Sequence, residues 1–289
     1  MPDVIYGLSA FEQTEGDLPE FPVINMYAEA ADTEERVLQS RPGMVDAEQD
    51  QGAGPVAALF TEDGVLDQAI LSVSGGYFYH NGVSKGAVAG SGPVSIVGNE
   101  KGAFLTAGAT PYYYDGTTLT AIAFPDDANC IKVVAGASRV IFLRENSGKF
   151  YWTDALEVDV EALDFATAET KADSLLDAIF IDDILVLFGS GTVEFWPNTN
   201  DPVLPFTPLE GRVFEKGVRE TGCAIIVGAS FIWVGDDNVV YANGPAPTPI
   251  SNAGLERKIK NSAECSLFQF FISGTECAAL RIDGQTYFW

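Results

Sequence analysis

Short apolar segments separated by polar turns run along most of the chain. The segments are rich in Val, Ile, Phe, Tyr and Trp, and turn pairs stand between them: Asp63-Gly64, Asn81-Gly82, Asp115-Gly116, Asn243-Gly244 and Asp283-Gly284. Asn and Asp tolerate the left-handed backbone, and Gly needs no side-chain room there, so such pairs favour the tight turns between antiparallel strands. The pattern predicts an all-β protein built from hairpins.

One aromatic strand recurs along the chain. Its copies read GGYFYHNG, PYYYDGTT, KFYWTDAL, VEFWPNTN, NVVYANGP and QTYFW. The aligned positions are Tyr79, Tyr114, Trp152, Trp196, Tyr241 and Phe288. They are separated by 35, 38, 44, 45 and 47 residues, which is the range expected of propeller blades. Two apolar strands precede the later copies, so each unit should contain three or four strands.

A lone meander of this size cannot bury both of its faces, and radial stacking of such units makes one continuous core. The sequence therefore predicts a β-propeller-like array of about six antiparallel meander blades over residues 46–289. A pair of β-sandwiches is the alternative, because it would also have short, regularly spaced strands. It offers less reason to repeat the same aromatic strand.

Two segments depart from the repeat. Residues 1–45 are polar and irregular, and we expect an N-terminal arm with a short helical stretch around AEAADTEERVL (28–38). The acidic, Ala-rich segment 153–176 is expected to be an insertion between blades with one short helix.

The charge of the chain limits its partners. There are 41 Asp and Glu against 16 Lys and Arg, which gives a net charge of −25 and a pI near 4.1. With no basic run, the chain has no means of binding the phosphate backbone specifically. An acidic wall would let DNA slide past, but the same charge also serves solubility, and the sequence leaves both interpretations open.

The sequence also predicts no membrane insertion. It contains no apolar window of 18 residues, and its start lacks the basic and apolar regions of a signal peptide. We therefore expect synthesis in a cytoplasm.

Candidate chemistry is sparse. His80 is the single histidine and is predicted to be a solvated residue at a hairpin tip, so no Ser-His-Asp or Cys-His arrangement can be assembled without it. Three acid pairs are predicted to be turn formers: Asp126-Asp127, Asp182-Asp183 and Asp236-Asp237. The two later pairs are expected at matching places in their repeats. The cluster of Glu157, Asp159, Glu161 and Asp164 lacks the Gly of a calcium loop and is predicted to be a solvated acidic face.

The cysteines and glycines likewise predict neither a metal site nor a nucleotide site. Cys130, Cys223, Cys265 and Cys277 have no CxxC spacing, which indicates buried thiols rather than a zinc site, although Cys265 and Cys277 could face each other across a hairpin. No glycine motif for nucleotides is present. We expect no enzyme activity, no catalytic residue, no cofactor and no metal.

Three stretches together resemble a known family. They are LDFATAETKADSLL (163–176), ILVLFGSGTVEFWPNTNDPVLPF (184–206) and ETGCAIIVGASFIWVGDDNVVYANGPAPTPISNAGLERKI (220–259). INMYAEA (24–30) and LQSRPGM (38–44) resemble the family's opening segment. The family is that of the packaged-DNA stabilisation proteins, or tail hub (nozzle) proteins, of short-tailed phages (podoviruses). Its members usually continue past the position of Trp289 with further aromatic strands, so the propeller is expected to continue or to be completed by another segment.

The resemblance implies a structural virion protein in the phage tail, made in the cytoplasm of a bacterial host. It implies a ring, a homohexamer, below the portal and its adaptor ring protein. That ring would extend the DNA channel, retain packaged DNA and carry tail spikes, fibres or a needle, with DNA passing through without specific binding.

Two sets of structural residues follow. Trp152, Phe195, Trp196 and Trp233 are predicted to pack between blades. Asn25, Arg41, Pro42 and Gly43 are candidates for arm and ring contacts, although a local capping role fits them equally. A carbohydrate-binding or glycoside-cleaving propeller is the main alternative function, and a propeller scaffold for protein partners is the third.

Overall fold

The computed structural model describes residues 26–30, 36–40, 51–52, 54–168, 171, 173–272 and 275–288. Within these ranges the chain forms 25 strands and one α-helix, arranged as a six-blade β-propeller. Two short 3-10 turns, Leu66–Gln68 and Pro125–Asp127, complete the regular structure. The prediction of an all-β propeller of six antiparallel meanders is confirmed.

A separate hairpin precedes the propeller. Strand β1 (Met26–Ala30) pairs antiparallel with β2 (Arg36–Ser40), with Ala28 opposite Leu38. The helix predicted around residues 28–38 is wrong. The Ala and Glu residues that favour a helix there are weak determinants, and cross-strand pairing overrides them.

Blades 1 to 3 are four-stranded meanders. Blade 1 comprises β3 to β6, which are Val56–Phe60, Leu71–Ser74, Tyr77–His80 and Val83–Ala87. Blade 2 comprises β7 to β10, which are Ser95–Asn99, Gly102–Thr106, Tyr112–Tyr114 and Leu119–Ala121. Blade 3 comprises β11 to β14, which are Cys130–Gly136, Arg139–Arg144, Lys149–Thr153 and Val160–Thr167.

Blades 4 and 5 repeat this order, and blade 6 has three strands in the described residues. Blade 4 comprises β15 to β18, which are Leu175–Ile181, Ile184–Gly189, Val193–Pro197 and Val213–Phe214. Blade 5 comprises β19 to β22, which are Ala224–Val227, Ser230–Val234, Val240–Ala242 and Thr248–Pro249. Blade 6 comprises β23 to β25, which are Cys265–Ile272, Thr275–Ile282 and Gln285–Phe288.

The repeated aromatic strand is the third strand of each blade. In the later blades the two apolar strands before it are the first and second strands, as the sequence indicated. The segment 153–176, predicted to be an insertion with a helix, instead supplies β14, the fourth strand of blade 3. Its acidic residues Glu157, Asp159 and Glu161 are exposed, in agreement with the predicted solvated face.

The hydrophobic core lies between neighbouring blades because side chains alternate across each strand. In β16, Leu185 and Leu187 face blade 3, whereas Val186 and Phe188 join the core shared with blade 5. The first strands of successive blades, from β3 through β23, lie beside one another. This arrangement places them nearest the propeller axis.

The acid pairs are turn formers, as predicted. Asp182 and Asp183 both have positive φ (50° and 61°) at the tip between β15 and β16, where short polar side chains tolerate the left-handed backbone. Asp236 and Asp237 form the turn between β20 and β21. The two pairs therefore occupy successive turns of the meander, so the prediction of matching places is wrong.

Helix α1 (Ala253–Asn261) lies between blades 5 and 6. It begins at Asn252, whose side chain accepts a hydrogen bond from the Leu255 backbone N–H at 2.9 Å. Leu255 and Ile259 are fully buried in the core of blades 4 to 6. None of the helices in the described ranges is long and apolar enough to cross a membrane.

Candidate functional site

The aromatic residues singled out from the sequence lie in the cores between blades. Trp152 and Trp196 belong to the core shared by blades 3 and 4, and the Phe150 ring meets the Trp196 ring edge-on at 5.2 Å. Phe195 and Trp233 lie in the next core, on the side of blade 5. Packed in this way, their faces are not available to a sugar.

A buried carboxylate ties three blades together near the axis. Asp177 on β15 is fully buried, and its Oδ1 lies 2.7 Å from Lys132 Nζ on β11 of blade 3. Its Oδ2 accepts hydrogen bonds from the backbone N–H groups of Gly222 (2.8 Å) and Ala224 (3.2 Å) at the start of blade 5. A buried charge is tolerated when it is paired and fully hydrogen-bonded, and Asp177 meets both conditions.

Irregularities in strand pairing orient the side chains of Lys132 and Asp177. The ladders of β11 and β15 each contain a shift, between Cys130 and Lys132 and between Leu175 and Asp177. A bulge re-aims the side chain that follows it. The one sequence signal for this junction is the lone acid Asp177 within the apolar run LLDAIFI, which was not among the predicted site residues.

A second polar contact holds the long loop of blade 4. Arg139 is buried at the start of β12 and donates to the carbonyl oxygens of Thr153 (2.7 Å) and Pro202 (3.1 Å). Asp201 Oδ1 accepts from the backbone N–H groups of Val203 and Leu204 at 2.8 and 3.0 Å. These bonds fix the loop between β17 and β18 while Val203 and Leu204 remain 77% and 45% exposed. The result is an ordered loop with an apolar tip.

Two thiols and a carboxylate cluster where blades 5 and 6 meet. Glu220, Cys223 and Cys265 bring one ligand atom each within 4.8 Å of one another. The neighbouring Cys265 side chain, together with burial, raises the pKa of Cys223 well above its ordinary value. Burial raises the pKa of Glu220, opposed by the Arg219 guanidinium. No local sequence pattern predicts this cluster, because its members are distributed over two blades.

All four cysteines are buried free thiols, as predicted, and the alternative of a Cys265–Cys277 pairing is wrong. In the ladder of β23 and β24, Cys265 lies opposite Ile282 and Cys277 lies opposite Phe270. Cys265 and Cys277 therefore do not face each other across the hairpin.

His80 is not the solvated turn residue that the sequence predicted. It ends strand β5, is half-buried, and its Nδ1 lies 2.7 Å from the Tyr114 hydroxyl on blade 2. The Tyr114 hydroxyl donates to the Gly116 carbonyl at 2.6 Å, so His80 Nδ1 is assigned as a donor. Burial, reinforced by the charge of Asp115, raises the pKa of Tyr114 to about 12. This contact clips blades 1 and 2 together.

Charge is distributed unevenly over the blades. The first strands of the six blades contain two charged residues in all, Lys132 and Asp177, and these neutralise each other. Exposed acids lie instead in turns and outer strands, for example at Asp63, Asp115 and Glu161. The axial wall formed by these strands is therefore neutral, and the acidic surface is peripheral.

The remaining candidates lie elsewhere. Asn25, Arg41, Pro42 and Gly43 fall outside the described residues. The three acid pairs lie in turns of separate blades, and Asp126 is bound by Arg144 at 2.8 Å.

The fold and these junctions define a β-propeller whose distinctive side chains hold the blades to one another. Residues 4–277 match the family model described as bacteriophage P22 Gp10, beta-propeller. The chain belongs to this family.

A curated relative and two solved structures extend the comparison. The tail hub protein gp10 of Salmonella phage P22 is 27% identical over 222 residues, which cover 69% of this chain and 47% of the relative. The chain thus spans about half the length of that relative. The Cps50 (Swd1) β-propeller domain of Myceliophteria thermophila has a TM-score of 0.59 and 10% identity, covering 92% of this chain and 93% of that one. YCF48 bound to D1 peptide has a TM-score of 0.52 and 11% identity, covering 88% and 83%. The two structures share the fold alone.

Proposed function

We propose that the chain is a structural, non-enzymatic component of a phage tail hub. It forms a ring, a homohexamer, below the portal-adaptor ring, extends the DNA channel and retains packaged DNA. The observation that carries the proposal is the family match over residues 4–277, together with the tail hub relative from phage P22. In this proposal the protein is made in the cytoplasm of the bacterial host and resides in the virion tail.

The charge distribution supports a particular path for DNA. The first strands present a neutral wall to the propeller axis, whereas the outer turns carry exposed acids such as Asp115 and Glu161. We place the DNA channel along the ring axis, lined by peripheral surfaces of several subunits. Like-charge repulsion there keeps phosphates from binding while they pass.

The loop between β17 and β18 is suited to contact a tail neighbour. Its apolar tip, Val203 and Leu204, is exposed, while Asp201 and Arg139 already hold its backbone in place. A preordered loop loses little entropy on docking. We assign the tip to contact with the adaptor ring or with spike, fibre or needle proteins, and the N-terminal residues Asn25, Arg41, Pro42 and Gly43 to contact with the next subunit.

Assembly tests the proposal. The purified chain should sediment as a monomer or weak oligomer alone and as a stable ring when mixed with the adaptor ring of its phage. The double variant Val203→Asp with Leu204→Asp should fold normally but fail to yield infectious particles when it replaces the natural chain. Leu163→Asp, at an 87% exposed position on β14, is the matched control and should assemble normally.

A chain that neither binds the adaptor nor is needed for DNA-filled, infectious particles would contradict the tail-hub proposal. If the loop variant assembles normally, the loop is not a contact with a tail neighbour, but the proposal of a ring still stands.

A further inference from the structure

The junction of blades 5 and 6 carries a group of side chains that the tail-hub proposal does not use. Cys223 precedes β19 of blade 5, Cys265 begins β23 of blade 6, and Glu220 lies in the loop before β19. Their Sγ and carboxylate oxygen atoms all lie within 4.8 Å of one another. Both cysteines are buried, at 0% and 5% exposed.

The spacing of these three ligand atoms is close to that of the ligands around a bound zinc ion. Zinc binds thiolate sulfur at about 2.3 Å and carboxylate oxygen at about 2.0–2.2 Å, so ligand atoms in a tetrahedral site lie roughly 3.5–3.8 Å apart. The ligand atoms of this cluster all lie within 4.8 Å of one another, which is about 1 Å more than that separation.

The hydrogen bonding of the cluster leaves room for a ligand. Cys223 Sγ donates to the Cys265 carbonyl at 3.2 Å, so its position is fixed by the backbone of the next blade. The Cys265 backbone N–H donates to the Glu220 carboxylate, whereas its buried Oε1 has no hydrogen-bond partner among the described residues. The Arg219 guanidinium lies 3.3 Å from that oxygen at Nε, but its terminal nitrogens are engaged by the carbonyls of Ile259 and Ser262.

The charge around the cluster favours a cation. Glu264 is close enough to act electrostatically on Glu220. Two thiolates and one carboxylate would place three negative charges against the single positive charge of Arg219. A divalent cation bound there compensates this excess.

We propose that Glu220, Cys223 and Cys265 bind a thiophilic divalent cation, zinc, which joins blade 5 to blade 6. Sulfur ligands select zinc over calcium or magnesium, which take oxygen ligands. Binding releases the two thiol protons to solvent, and three protein ligands leave one tetrahedral position to water. Its place between two first strands makes the site a structural staple, and the inference is independent of the tail-hub proposal.

The test uses the full chain, kept reduced with a phosphine and stripped by a chelator. Added zinc should bind at one ion per chain, and cobalt in its place should give the near-ultraviolet absorption of cobalt bound to thiolates. Cys223→Ser and Cys265→Ser should each abolish that absorption. Glu220→Gln should weaken zinc binding by at least about tenfold, as loss of a ligand does.

Cys130→Ser is the matched control, because Cys130 is a fully buried cysteine of blade 3 that is not part of the cluster. It should bind zinc like the natural chain. The cobalt spectrum of the natural chain decides the matter even where a variant fails to fold. Absence of the thiolate band, equal zinc binding by the serine variants, or a disulfide joining Cys223 to Cys265 in the isolated chain would each overturn the proposal.

Discussion

The junction between blades 3 and 4 differs from the junction between blades 1 and 2, although both are built from the same meander. The first is filled by large rings, those of Phe150, Trp152, Trp196 and Phe206. The second contains three alanines, Ala69, Ala103 and Ala107, around the rings of Phe78 and Tyr114. One repeat therefore supports junctions that contain different numbers of large aromatic rings.

The polar contacts also differ between the two junctions: they are more deeply buried at the junction of blades 3 and 4. Blades 3 and 4 are joined by the buried ion pair of Lys132 and Asp177, which reaches on to the backbone of blade 5. Blades 1 and 2 are joined by His80 and Tyr114 at a half-buried strand end. We infer that the 3–4 junction dominates stability and that the 1–2 junction is the more easily opened.

Loss of a ring at the 3–4 junction should have the largest effect. Trp152→Ala is expected to lower the free energy of unfolding by about 3–5 kcal/mol, because it empties a fully enclosed site. Denaturant unfolding followed by circular dichroism measures this. Trp152→Phe keeps a ring in the site and should cost less; an alanine variant as stable as the natural chain would remove the basis of the comparison.

Breaking the ion pair should come next. Asp177→Ala leaves Lys132 and the backbone N–H groups of Ala178, Gly222 and Ala224 without their acceptor. We expect a loss of roughly 2–4 kcal/mol, since Lys132 keeps partial contact with water. Asp177→Asn keeps one acceptor oxygen and should lose less. Equal stability of the two variants in a thermal melt would mean that the carboxylate does not tie the blades.

Tyr114 makes the 1–2 junction sensitive to alkali. Its pKa is raised to about 12 in the folded protein, above the ordinary value near 10, so folding favours the neutral phenol. This contribution is complete below pH 10 and is lost as the pH rises towards 12. Unfolding midpoints measured across that range should fall.

The control for this effect is Tyr114→Phe, which lacks the titrating group. It should cost about 1 kcal/mol at neutral pH through the lost hydrogen bonds and should flatten the alkaline fall. An unchanged alkaline profile would assign the pH dependence to another group.

An exposed outer strand should give the smallest effect. Leu163 on β14 is 87% exposed, and Leu163→Ser is expected to change stability by no more than about 0.5 kcal/mol. A larger loss, measured by the same denaturant titration, would indicate that the outer strands contribute to the blade cores.

The sequence pattern predicted the strands whose side chains are buried in the cores between blades. Third strands such as Lys149–Thr153 alternate between two buried faces, so their aromatic residues form a visible repeat. Fourth strands are hard to detect in the sequence because no other strand of the described ranges pairs with their outer edge. Strands β18 and β22 have 2 residues each, and β14 is mostly polar or exposed. A short outer strand has no hydrophobic pattern to detect.

The polar junctions were less predictable because their partners meet only in three dimensions. Along the sequence, Asp177 lies about one blade after Lys132, and its backbone donor Gly222 lies about one blade further on. Glu220 and Cys223 are neighbours in sequence, but Cys265 belongs to the next blade. Topology, rather than local pattern, brings these groups together.

Electron microscopy of purified virions labelled with an antibody against this chain tests the central claim most directly. The account predicts label in a ring at the tail, below the portal and its adaptor ring. Virions without label, or label confined to peripheral fibres, would contradict the tail-hub function and would favour a sugar-binding propeller instead.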